Sequence, residues 1–163
     1  GHPAGSLVLS TPFGFHSRDY RAAHCQNANL CRLVERLLEA DACVYLTDCM
    51  KFYTDDVVAG GRPPQNYVRA NLRRYRGLFR AALDAEIAAY VPDVIVTFGN
   101  EAADFVDTAH PREGLAPQQI NGRAVVAAFH TGARPLVIRN LGFQSTQEYF
   151  NQVFATVAGV RRG

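Results

Sequence analysis

At 163 residues, 48% hydrophobic and 20% charged, the chain has the size of one domain and is too apolar and too weakly charged for a disordered segment. Seventeen Lys and Arg against fifteen Asp and Glu leave a formal net charge of +2, too small to demand a polyanionic partner by itself. No apolar run approaches the ~18 residues of a membrane span, and the opening GHPAGSLVLS lacks the basic flank and long apolar stretch of a secretory leader, so a cytoplasmic, reducing location is expected.

In chain order, Leu7 to Ser10 (LVLS) is a short apolar run closed by Thr11, Pro12, Phe13 and Gly14, the pattern of a buried strand entering a tight loop. From Asn29 to Glu39, Leu30, Leu33, Val34, Leu37 and Leu38 recur at helical spacing and predict an amphipathic helix, followed by a second strand at Cys43 to Thr47 (CVYLT). Thr54 to Asn66, with Gly60, Gly61, Pro63 and Pro64, reads as a loop. Val68, Leu72, Tyr75, Phe79, Ala82 and Leu83 then predict one helix, bent at Gly77 and closed by Pro92. A third strand, Val94 to Phe98 (VIVTF), turns at Gly99 and Asn100 into a short helix near Glu101. The Pro/Gly-rich stretch HPREGLAPQQINGR connects it to a fourth strand, Ala124 to Phe129 (AVVAAF), which ends at His130, Thr131 and Gly132. Ser145, Thr146, Gln147 and Glu148 form a capping box ahead of Phe150, Val153, Phe154 and Val157 at helical spacing.

Strands alternating with helices predict a single α/β domain over residues 1–163, a three-layer α/β/α fold with a mainly parallel four-stranded sheet. Ligands of such sheets bind beyond the carboxyl ends of the strands. The four exits supply residues 10–16, 47–51, 98–101 and 130–134. Cys25 and Cys31, like Cys43 and Cys49, are separated by five residues, wider than is usual for zinc pairs. Reduced, chemically inert thiols are expected, with a metal or iron-sulfur site as the alternative. No acid falls between Val57 and Leu83, whereas Arg69, Arg73, Arg76 and Arg80 step along one helical face. That stripe either grips phosphates or is a solvated face with local ion pairs.

The exits carry a resemblance. STPFGFH is similar to the first loop of the uracil-DNA glycosylase superfamily, with its central proline and aromatic residue. TDCMK resembles the family's Thr-Asn-x-x-Lys except at Asp48, and LDAEIAAYVPDVIVTFGNEAADF its helix, proline, strand and Leu-Gly-x-x-Ala turn. FHTGAR matches the family's His-Pro-Ser loop in part, at His130. The likeness runs from about Leu7 to Phe154 and rests on the order and spacing of the motifs.

The resemblance implies a DNA N-glycosylase acting on a deaminated or modified, cytosine-derived pyrimidine by hydrolysis, with DNA as partner, no cofactor and no membrane. Such chemistry takes a base out of the stack, stacks it on an aromatic ring, reads its edge and stabilises charge as the glycosidic bond breaks. Phe13, with Phe15 next in line, would be the stacking platform, and His130 would donate a hydrogen bond to the base oxygen gaining charge. Arg134 and Arg139 would hold phosphates, as would the stripe, and either Leu136 or Leu141 would be the wedge that replaces the flipped base. Asp48 departs from the family asparagine. An ionised carboxylate offers only acceptors, so it repels uracil O4 and suits an amino group, unless burial keeps it protonated. Alternatively Asp48 caps a loop, or pairs with Lys51 or an arginine. The first loop also holds Ser10 and Thr11 where the family usually carries a carboxylate or asparagine, so either Asp19 supplies the acid or the enzyme is slow or silent. A silent base- or DNA-binding module of the same fold is therefore the rival reading, and an unrelated nucleotide-binding α/β protein the third.

Overall fold

The computed structural model describes residues 29–51, 67–130 and 135–161. In chain order its elements are α1 (Asn29–Glu39), α2 (Tyr67–Arg74), α3 (Arg76–Tyr90), β1 (Val94–Phe98), α4 (Asn100–Phe105), a 3-10 turn (Pro111–Glu113), β2 (Gln118–Ile120), β3 (Arg123–Ala128), α5 (Pro135–Arg139) and α6 (Thr146–Val160). The chain divides into two compact units. Among the described residues one unit holds 47–51 and 67–91, and the other holds 29–46, 92–130 and 135–161.

The second unit is mixed α/β. Its sheet runs in the order β1-β3-β2. β1 and β3 are parallel, with Val94 opposite Ala124 and Phe98 opposite Ala128, whereas β2 is antiparallel to β3. Ala124 through Ala128 are all buried, which suits a central strand covered on both faces. Among the described residues the sheet therefore has three strands of mixed direction rather than four mainly parallel ones. Two differences account for this, together with the expected first strand lying outside the described residues. The segment 43–47 alternates between exposed and half-buried residues as a strand does, but it joins no ladder among the described residues. β2 was not expected, because Gln118-Gln119-Ile120 has no apolar signature; it reaches β3 through a two-residue turn at Asn121 (φ 51) and Gly122 (φ 75), the geometry that favours Asn-Gly in hairpins. The expected first strand, Leu7 to Ser10, and the loop at residues 54–66 lie outside the described residues.

α1 forms where the apolar spacing predicts it and buries Cys31, Leu33, Val34 and Leu37. It ends in a left-handed residue, Asp41 (φ 54). The Ala42 N–H bonds the Leu37 carbonyl at 2.9 Å and the Asp41 N–H bonds the Leu38 carbonyl at 3.1 Å, so the last carbonyls of the helix are satisfied. α6 starts at the expected capping box: Ser145 Oγ accepts the Glu148 N–H at 3.1 Å, and Glu148 Oε2 accepts the Gln144 N–H at 2.6 Å. The two helices run side by side in the same direction. Arg32 bonds Gln147 near their starts, Arg36 bonds Asn151 and stacks over the Phe154 ring one turn on, and Arg161 donates to the Ala40 and Asp41 carbonyls at their ends. Beneath them Leu33, Leu37, Tyr149, Phe150, Val153 and Val157 meet Ala128 at the end of β3 and Phe129 just beyond it in one apolar cluster. Cys31 is disulfide-bonded, which corrects the expectation of four reduced thiols, while Cys43 and Cys49 are free; Cys25 lies outside the described residues. No helix among the described residues is long and apolar enough to cross a membrane.

In the first unit, the single helix expected from Val68 to Leu83 is two. The break falls at Tyr75 (φ −111, ψ 19) rather than at Gly77. α3 buries Phe79 and Leu83 and ends at Val91, a β-branched residue held left-handed (φ 46, ψ 57) immediately before Pro92.

Candidate functional site

β1 and β3 are parallel neighbours, so their carboxyl ends lie side by side and deliver Gly99 and His130 to one edge. The Gly99 N–H donates to the Ala128 carbonyl at 2.8 Å, extending the ladder one residue past β1. Gly99 then takes φ 92 and ψ 166, a region essentially reserved for glycine, and the chain turns into α4. A Cβ at position 99 would lie 3.7 Å from the Cβ of His130, so the two exits abut. His130 is exposed at the end of β3.

The approach to His130 is fixed from below by a residue that sequence reasoning missed. The N–H of Phe129, the residue before the histidine, donates to Tyr149 Oη at 2.9 Å. Tyr149 is fully buried, edge-on to Phe143 and Phe150 with centroids 5.2 and 5.3 Å away. Burial raises its phenol above the ordinary tyrosine range, partly offset by the Phe129 hydrogen bond. The available signal was a tyrosine within the apolar stripe of α6, since a buried hydroxyl needs a polar partner.

Beyond His130, residues 131–134 and with them Arg134 lie outside the described residues. α5 follows. Its Leu136 is 67% exposed, whereas Leu141 packs against the apolar cluster, so of the two leucines only Leu136 offers its side chain to a ligand. Arg139 is exposed at the end of the same helix.

The other unit holds Asp48 and the arginines. Asp48 is half-buried, and desolvation raises its carboxyl above the usual range while the Lys51 ammonium pulls it part of the way back. Lys51 itself pairs with Glu86 at 2.6 Å, a partner that sequence reasoning missed although a half-buried lysine needs one. The Cys49 thiol is raised by burial and by Asp48 and Glu86, against Lys51, which keeps it protonated and a poor nucleophile. Arg69 and Arg73 stand exposed on α2 and Arg76 on α3, so the expected stripe crosses the helix break. Arg80 is paired with Asp84 at 2.9 Å, one turn along α3. Ser10, Thr11, Phe13, Phe15 and Asp19 lie outside the described residues. Among the described residues no three His, Cys, Asp or Glu side chains are grouped to hold a metal ion.

Compared with protein-family models, curated proteins and solved structures, the chain finds no match.

Proposed function

We propose that this chain is a DNA N-glycosylase of the uracil-DNA glycosylase kind, which hydrolyses the bond between a deaminated or modified pyrimidine and its sugar. The observation that carries the reading is Leu136. It is a large apolar side chain 67% exposed on a short helix that follows the His130 strand exit, where it contributes little to the core. Extruding a base costs a few kcal/mol, and an apolar side chain that fills the vacated stack offsets part of that cost. His130 then donates to the base oxygen as the glycosidic electrons move onto the base, and water adds to the sugar carbon. Arg139 on its unit and the arginines of α2 and α3 on the other are each candidates for phosphate contacts, while the role of Asp48 in reading the base edge comes from the resemblance alone.

The test is incubation of the protein with end-labelled oligonucleotides carrying uracil, cytosine or modified cytosines, followed by alkaline cleavage of abasic sites. Strand breaks at one or more of these bases are expected, reduced at least tenfold in His130→Ala by loss of an oriented donor. The absence of a carboxylate at Ser10 and Thr11 favours a second reading, a silent module that binds the base without removing it. Base-dependent binding without strand breaks would establish that reading, and no binding to any oligonucleotide would end both.

A further inference from the structure

Among the described residues, 47–51 belong to no helix or strand, and two side-chain anchors hold the segment. Met50 is one anchor, 5% exposed. The other is a closed triangle: Lys51 Nζ donates to Glu86 Oε2 and to Thr47 Oγ1, each at 2.6 Å, and Thr47 Oγ1 donates to the same Glu86 oxygen at 3.0 Å. One carboxylate on α3 thus binds the residue before Asp48 and the lysine three residues after it.

We infer that Glu86 is a positioning residue for base discrimination: by holding Thr47 and Lys51 on either side of Asp48, its carboxylate fixes how Asp48 meets the edge of a base. The inference rests on the base-reading role proposed for Asp48. Its chemistry follows from charge. Among the described residues the Lys51 ammonium acts on the Asp48 carboxyl, and Lys51, Asp48 and Glu86 all act on the neighbouring Cys49 thiol. With Glu86 in place the charge of the lysine is balanced by a carboxylate and its ammonium is directed to α3. A half-buried Asp48 then takes up a proton more readily and presents one donor and one acceptor, as an amide would. Without that negative charge the ammonium turns toward Asp48, the carboxylate is favoured, and two acceptors face the base.

The experiment measures the ratio of uracil to cytosine recognition by the intact chain across pH, as competitive binding of the two oligonucleotides. The wild type, Glu86→Gln, Glu86→Asp and the double variant with Asp48→Asn are compared. Glu86→Gln keeps the size of the side chain and removes its charge. It should move the pH midpoint of the ratio downward and lower the ratio roughly tenfold near the wild-type midpoint, while Glu86→Asp restores most of the wild-type profile. In the Asp48→Asn background Glu86→Gln should leave the ratio alone. The Asp48 carboxyl resonance, followed by carbon NMR in the same proteins, should shift its titration in the same direction and reports on this coupling whether or not a base binds. A wild type with a pH-dependent ratio whose midpoint Glu86→Gln leaves in place overturns the role of Glu86 alone. A wild type without base preference at any pH overturns the base-reading role on which it rests, whatever the resonance does.

Discussion

Tyr149 Oη holds the Phe129 N–H one residue before the exposed His130, so a buried hydroxyl anchors the backbone just past the end of β3. Tyr149→Phe removes the acceptor and leaves that N–H unsatisfied, an expected loss of about 1–3 kcal/mol in chemical denaturation at neutral pH. The phenol also makes stability depend on alkali. Its folded pKa is raised, so above about pH 10 the unfolded chain gives up the tyrosine proton first and binds fewer protons than the folded one. Stability contributed by the neutral phenol is whole below that pH and is lost as pH rises through the folded value. Melting temperatures measured across this range should fall with pH more steeply in the wild type than in Tyr149→Phe. At Asp48 the sign bears on the proposed base recognition. Its raised carboxyl gains a proton as pH falls, which supplies the donor that uracil O4 requires, so preference for uracil over cytosine should increase toward acid. Asp48→Asn carries that donor at every pH and should raise the uracil ratio about tenfold at neutral pH while abolishing its pH dependence. Competition between oligonucleotides at one salt concentration measures both.

The C-terminus of α3 places Val91 left-handed with its side chain 63% exposed, so the strain is not repaid by burial. Relief of about 1–2 kcal/mol at the left-handed position is partly cancelled by the extra freedom glycine gives the unfolded chain, so Val91→Gly should stabilise by roughly 0.5–1 kcal/mol in thermal or urea unfolding. Replacing Arg69 and Arg73 on α2 by glutamine should weaken DNA binding and flatten its logarithmic salt dependence by about two. An unchanged slope would remove α2 from the proposed interface. Helices were the legible part of the sequence, because α1 and α6 carry their own evidence in periodic leucines, valines and a capping box. The helix break escaped notice because Tyr75 looks like one more apolar position, and its backbone departs from helical values without glycine or proline to announce it. Strand pairing was less legible. The alternation at 43–47 shows which side chains turn inward but says nothing of a backbone partner, and β2 is polar, so only the Asn121-Gly122 pair could have revealed it. At the candidate site the strand exits and His130 were readable from strand ends, while Tyr149 and Glu86 were hidden because each acts across many residues of sequence, on Phe129 and on Lys51.

Along the chain, the described residues 47–51 and 67–91 fall between two parts of the other unit, which resumes at Pro92. Among the described residues, buried apolar contacts are unequally shared. β3, Phe129 and α6 share a continuous buried cluster, whereas α2 and α3 bury Leu72, Phe79 and Leu83 and expose Leu78 and Tyr90. Local opening follows buried apolar contact, so amides of α2 and α3 should exchange with solvent faster than those of β3 and α6 in native-state hydrogen exchange. Equal protection throughout would show that the two units unfold together. A net charge of +2 adds little long-range attraction for the proposed DNA partner, so its association should depend on where the arginines stand more than on the total.

Gly99 carries a consequence for how the sequence tolerates change. At φ 92 and ψ 166 every other residue type is strained, and the backbone that would relax is the one hydrogen-bonded to Ala128 and abutting His130. Gly77, within α3, has no neighbouring atom where a methyl group would stand and favours alanine by roughly 0.5–1 kcal/mol. In a library randomised at both positions and selected only for folding, position 77 should diversify while position 99 stays glycine. Survivors altered at 99 would then be variants in which the histidine end of the sheet has been rebuilt.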